Sequence, residues 1–172
     1  MVTGRGNKLV GQAGEYLVAG ELSRRGLIST TFTGNVPHYD IVASNEAGLH
    51  LSVQVKSSVG GSWHLSIASF CEIDFSDDDD RQQVGPMKKS PVLGLICVFV
   101  HLLGQGQDRF FVLPWEELRD LVVADYSRWL NMHDGVRPKN PRSLHCALLE
   151  RQIVDFENNW NLLADRLGEA AV

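Results

Sequence analysis

The sequence predicts an α/β fold in which helices pack on one mixed β-sheet, and three stretches predict it. A helical pattern at residues 8–25 is followed by three short runs rich in β-branched and apolar residues between 27 and 58, and a nearly continuous apolar run lies at 92–101. With 172 residues, 44% of them hydrophobic, the chain is long enough for one domain with a sizeable core and short for two. The expectation is a single domain over 1–172, with its core at about 8–131 and a C-terminal loop and helix at 132–172.

The stretch "KLVGQAGEYLVAGELSRR" reads as a helix stopped by Gly26, because a glycine just past the last turn takes the left-handed conformation without strain. Its apolar residues (Leu9, Val10, Ala13, Tyr16, Leu17, Val18, Ala19, Leu22) go nearly all round the helical wheel, which predicts little solvent-facing surface. "LISTTF", "YDIVAS" and "LHLSVQVKS" read as three successive strands, the last two forming a hairpin across "NEAG". "SWHLSI" reads as a further strand, whereas the acids and two prolines of 74–91 predict a solvated loop.

"VLGLICVFVH" predicts a strand covered on both faces, since it has no polar alternation to present to water. "DRFFVLP" follows as another strand. "PWEELRDLVVADYSRWL" predicts a helix with Pro114 near its first turn and acids early, where the helix dipole favours them. "NMHDGVRPKNPRS" reads as a loop carrying Arg137, Lys139 and Arg142, and "DFENNWNLLADRL" as a short closing helix.

The formal net charge is -5, but six of the 21 acids lie in "CEIDFSDDDDR", leaving 15 against 16 Lys and Arg elsewhere. The field of the rest depends on placement more than on the total, so the acidic balance does not exclude a polyanionic partner. The run 77–80 lacks the spaced ligands and glycine of a calcium loop and reads as a solvated segment. Cys71, Cys97 and Cys146 are too far apart for a CxxC pair and odd in number, so they are expected reduced and mostly buried. No histidine pair has a structural-zinc spacing. No run is long and apolar enough to span a bilayer and the first residues lack the apolar core of a signal peptide, so the expected location is cytoplasmic, with no membrane partner.

The chemistry-bearing pattern lies at 38–58. Gln54 and Lys56 are two apart on a strand and project from one face while Val53 and Val55 project from the other. If the preceding strand pairs as a hairpin, Asp40 arrives beside them. A carboxylate, an amide oxygen and the carbonyl of Val55 then offer the hard oxygen ligands that Mg²⁺ prefers, leaving Lys56 to orient water or offset charge on a phosphate. Glu15 is the second oddity, a carboxylate whose neighbours on the wheel are Gly11, Val18, Ala19 and Leu22. An unpaired carboxylate buried there costs several kcal/mol, roughly, so it calls for a cation nearby.

"GEYLVAGELSRRGL", then "PHYDIVA", then "LSVQVKSS" resembles the three-part signature of the PD-(D/E)xK nuclease superfamily, the restriction-endonuclease-like fold that includes archaeal Holliday-junction resolvases and Mrr-type restriction enzymes. The resemblance covers roughly 8–58 by motif, and the later strand, strand, helix order suits the rest of a three-layer core with a mixed β-sheet flanked by helices. It implies a Mg²⁺ (or Mn²⁺) dependent deoxyribonuclease with Glu15, Asp40, Gln54 and Lys56 as the catalytic set, the ion held by Glu15, Asp40, Gln54 and Val55. It also implies a nucleic acid, DNA in this reading, as partner, and is compatible with a homodimer. The pattern departs from the family's in two places: glutamine stands at 54 where an acid is usual, as it does in active Mrr-type relatives, and Pro37 precedes Asp40 by three residues.

Taken singly, Asp40 reads as a turn residue after Pro37 and Lys56 as a strand-end lysine; the reading as a site comes from all four in this order on these elements. Ser57, Ser58, Arg137, Lys139 and Arg142 are the candidate phosphate contacts, and His38 and His64 flank the site as candidates for proton transfer. Trp63, Trp115, Trp129 and Trp160 are expected to pack in or against the core, Trp63 alone being also a candidate for stacking on a base. The alternative is a member of the same fold without cleavage, an immunity- or antitoxin-like module that binds nucleic acid or meets a basic protein through the acidic stretch 72–80.

Overall fold

The computed structural model describes residues 4–32, 36–76, 78, 80–104 and 106–168. In chain order the elements are α1 (Gly4–Arg24), β1 (Ile28–Thr31), β2 (Ile41–Ser44), β3 (His50–Ser58), β4 (Ser62–Ser66), β5 (Cys71–Phe75), β6 (Gln82–Met87), β7 (Ile96–His101), β8 (Arg109–Pro114), α2 (Trp115–Asn131), β9 (His145–Leu149) and α3 (Asn161–Leu167), with short 3₁₀ turns at Ile67–Ser69, Glu150–Gln152 and Val154–Phe156. Two compact units divide the chain: Met1–Trp63, Ser90–Trp115 and Leu149–Val172 make the first, His64–Lys89 and Glu116–Leu148 the second. Among the described residues no helix is long and apolar enough to cross a membrane.

The first unit is a mixed α/β structure around a five-stranded sheet of order β1-β2-β3-β7-β8. β1, β2 and β3 run antiparallel, β3 and β7 parallel, β7 and β8 antiparallel. α1 ends as its sequence predicts. The Leu27 N–H donates to Leu22 O at 3.1 Å, the Gly26 N–H to Ser23 O at 3.0 Å, and Gly26 has φ +82°. Leu27 then folds back, buried like Leu22, the apolar contact that completes this helix stop.

The buried stripe of α1 is Gly14, Val18 and Leu22, and it joins Val53, Val55, Ile96, Val98, Val100 and Val112 in one apolar cluster with Trp160, Leu163 and Leu167 from the C-terminal segment. Burial of each such aliphatic side chain contributes about 1.5–3 kcal/mol. The expected low exposure of α1 is not found. Leu9 is 61% exposed and Tyr16 58%, because only one stripe of a single helix can meet a flat sheet.

β2 and β3 form the expected hairpin. Asn45 Oδ1 accepts from the Leu49 N–H at 2.9 Å, and Gly48 supplies the positive φ that the turn requires. β3 alternates along its length, with Leu51, Val53 and Val55 buried and Ser52, Gln54 and Lys56 half-exposed, whereas β7 is buried at every residue but His101.

In the second unit the solvated loop expected at 74–91 is corrected. Cys71–Phe75 and Gln82–Met87 pair as an antiparallel ribbon whose register shifts between Cys71 and Ile73. Pro86, which has no N–H to give a ladder, is tolerated in a two-stranded ribbon beside that irregularity. Of the acid run, Asp78 and Asp80 lie between these strands, while Asp77 and Asp79 fall outside the described residues. β9 was not expected, and the C-terminal helix is confined to 161–167, its predicted first residues forming a 3₁₀ turn instead.

Candidate active site

Asp40 stands at the entry to β2, where the chain turns before the ladder becomes regular. Its N–H donates to Val53 O at 2.9 Å although Ile41 is the residue opposite Val53, so the pairing departs from one-to-one register here. Its Oδ2 accepts from the Val55 N–H at 2.7 Å, taking the place of a ladder carbonyl. The aspartate is thereby pinned to the strand that carries Gln54 and Lys56.

Three charged groups gather electrostatically. Burial pushes the Asp40 carboxyl above its ordinary range, opposed by the hydrogen bond from Val55 and by the charge of Lys56. Burial likewise raises Glu15, and the charge of Asp40 raises it further. Glu15 thus reaches from the flank of α1 into the field of Asp40, and Asp40 into that of Lys56. Gln54, half-exposed, shares the face of Lys56 one pleat period upstream.

These residues fit a hard divalent cation. Two desolvated carboxylates in one field are costly until a positive charge arrives, and their donors, with the Gln54 amide, are all oxygen. Among the described residues no group of three His, Cys, Asp or Glu comes together. Glu15 and Asp40 with the Gln54 amide are thus the oxygen donors that the hairpin and the flank of α1 offer here.

The other expected residues fall out as follows. Ser57 points to the face opposite Lys56, its Oγ enclosed against Gly14 and without a hydrogen-bond partner among the described residues. Ser58 Oγ accepts from the Gly60 N–H at 3.1 Å. His38 is exposed with φ +76°. Trp63 takes the expected core position and not the stacking one. It is 2% exposed and meets Phe99 and Phe111 edge-on, with centroids at 5.3 and 5.9 Å.

In the second unit, Arg137 lies over Tyr126 and Trp129 and donates to His145 O at 2.9 Å. Arg142 pairs with Asp80 at 2.7 Å, and Lys139 is exposed. His64 contacts His145 through ring nitrogens 2.8 Å apart.

A cluster absent from the expectations closes the end of the sheet in the first unit. His101 Nδ1 contacts Glu150 Oε2, Arg109 contacts Glu150, and Arg109 grips Glu157 in a two-pronged pair at 2.7 and 2.6 Å. The histidine at the end of "VFVH" was its one visible signal; the partners lie some fifty residues away and become neighbours only through the sheet.

In chain path the protein is similar to two solved structures. One is a bacterial homing endonuclease, at 15% identity and TM-score 0.48 over 92% of this chain and 93% of that one. The other is Hjc, a Holliday junction resolvase from the archaeal hyperthermophile Archaeoglobus fulgidus, at 14% identity and TM-score 0.47 over 94% of this chain and 98% of that one. No family model matches the sequence, and no curated protein matches it.

Proposed function

We propose that the protein hydrolyses phosphodiester bonds of DNA in a reaction that depends on Mg²⁺ or Mn²⁺. The observation that carries this reading is the fixing of Asp40 to the Val55 N–H, which ties one half-buried carboxylate to the strand of Gln54 and Lys56 and into the field of Glu15. In this reading Glu15, Asp40, Gln54 and the Val55 carbonyl hold the ion, which when bound supplies positive charge at the phosphate and acidifies water. Lys56 orients the attacking water and offsets the charge that develops on phosphorus. Ser58, Arg137, Lys139 and Arg142 are the proposed backbone contacts.

The test is cleavage of duplex, branched and single-stranded DNA by wild type and Lys56→Ala with Mg²⁺ or Mn²⁺. Metal-dependent cleavage that falls by about 100-fold or more in the variant is expected, the size typical of a lost charge-stabilising group. No cleavage of any substrate, or equal cleavage by both proteins, contradicts the proposal.

A second reading has its own observation. Glu72 and Asp74 both lie exposed on β5, where alternate residues share a face, and Asp78 is exposed beyond them. That acidic ribbon repels a phosphate backbone and suits a basic protein. Copurification with a basic polypeptide and not with nucleic acid would favour a non-catalytic module.

A further inference from the structure

Strand register puts His101 on the working face of the sheet. Lys56 is opposite Phe99 and Ser58 opposite His101 in the parallel pairing of β3 with β7, and residues opposite one another share a face. Gln54, Lys56, Ser58 and His101 therefore project to the same side. With strands spaced ~4.8 Å and rising ~3.3 Å per residue, the Cα atoms of Lys56 and His101 are about 8 Å apart. Phe99, opposite Lys56 on the same face, is buried against Trp63. The opposite side carries Val53, Val55, Val98 and Val100 and is filled by the apolar cluster.

The imidazole is held, not loose. Glu150 Oε2 takes Nδ1, and Glu150 is itself fixed by Arg109 and by its own N–H, which donates to Gly61 O at 3.0 Å. Gly61 passes so close that a Cβ there would lie 3.1 Å from His101 Cε1 and 3.2 Å from Glu150 Oε2. The side chain keeps 15% of its surface exposed. With a carboxylate on Nδ1, Nε2 is the ring nitrogen left for a further contact.

We propose that His101 is the proton acceptor of this site and Glu150 its positioning residue, an inference that rests on the phosphodiesterase reading above. As the water oxygen bonds to phosphorus, one water proton passes to His101 Nε2, and Glu150 stabilises the resulting imidazolium. The bond from phosphorus to the leaving oxygen breaks, that oxygen takes a proton from bulk water, and the imidazolium returns its proton to solvent.

The test compares full-length wild type, His101→Ala, His101→Asn and Glu150→Gln on a duplex that wild type cleaves, with single-turnover rate, DNA affinity and thermal stability measured separately. Expected for both His101 variants is a rate loss of about 100-fold, DNA affinity within about twofold of wild type, and partial recovery with added imidazole. Glu150→Gln is expected to lose about tenfold, as outer partners of a working histidine do. Cleavage by His101→Ala at the wild-type rate overturns the proposal and leaves the phosphodiesterase reading standing. Rate lost together with stability and not recovered by imidazole also overturns it, assigning the cluster to holding the end of the sheet. If wild type cleaves nothing, both readings fall together.

Discussion

Asp40 and Val55 are joined side chain to backbone, Oδ2 accepting the N–H at 2.7 Å, at the point where β2 leaves regular register with β3. An acid ordinarily free to turn with solvent is thus locked to the middle strand of a buried sheet, in a setting that disfavours its charge. Holding a carboxylate in that setting costs stability, a cost often met at functional sites.

That cost has a sign. Asp40 and Glu15 are both raised, so between the ordinary carboxylate range and their raised values the folded chain binds more protons than the unfolded one. Stability from these groups is greatest below the ordinary range and is lost as pH rises through the folded values. Asp40→Asn keeps an acceptor for the Val55 N–H but removes the charge. In metal-free buffer it is expected to be more thermostable than wild type at neutral pH, the gap closing in acid; thermal melts across pH check this, and a gap that widens in acid contradicts it.

Gln54→Glu adds a third carboxylate to the sparse oxygen set. Ligand charge tunes divalent-ion affinity, so Mg²⁺ is expected to bind about tenfold tighter. Metal-free stability at neutral pH is expected to fall, because a further like charge joins Glu15 and Asp40. Calorimetric titration and melts of the same preparation measure both. Unchanged affinity would remove Gln54 from the ligand set.

Gly14 of α1 packs directly against Ser57 of β3. A Cβ there would lie 1.7 Å from Ser57 Oγ and 2.8 Å from Ser57 Cβ. Gly14→Ala is expected to destabilise by about 1–3 kcal/mol, the cost of overpacking, with Ser57→Gly restoring much of it in the double variant. Denaturant midpoints of the four proteins decide, and a fully stable Gly14→Ala would mean that the helix does not lie where described.

Much of the first unit was legible because its signals are local. The period-two pattern of "LSVQVKS" gives the two faces of β3, "NEAG" gives its turn, and the unbroken apolar run gives β7. The ribbon β5–β6 was hidden because Gly85 and Pro86 and the acid run between its strands are also what a solvated loop looks like. That Trp63 packs in the core was expected, but its partners Phe99 and Phe111 were not legible, because they reach it only through the sheet. The contact of His101 with Glu150 was hidden for the same reason, since its partners are far apart in the chain. The hairpin that brings Asp40 beside the strand of Gln54 and Lys56 was legible from spacing, whereas the coupling of Glu15 to Asp40 required the packing of α1 on the sheet.

Asp40 and its neighbours are proposed to hold a divalent cation, and calorimetric titration of Mg²⁺ and Mn²⁺ into wild type and Asp40→Ala side by side measures whether they do. Saturable binding to wild type that disappears in Asp40→Ala is the result expected. Binding that survives the substitution, or no binding to wild type, would contradict it.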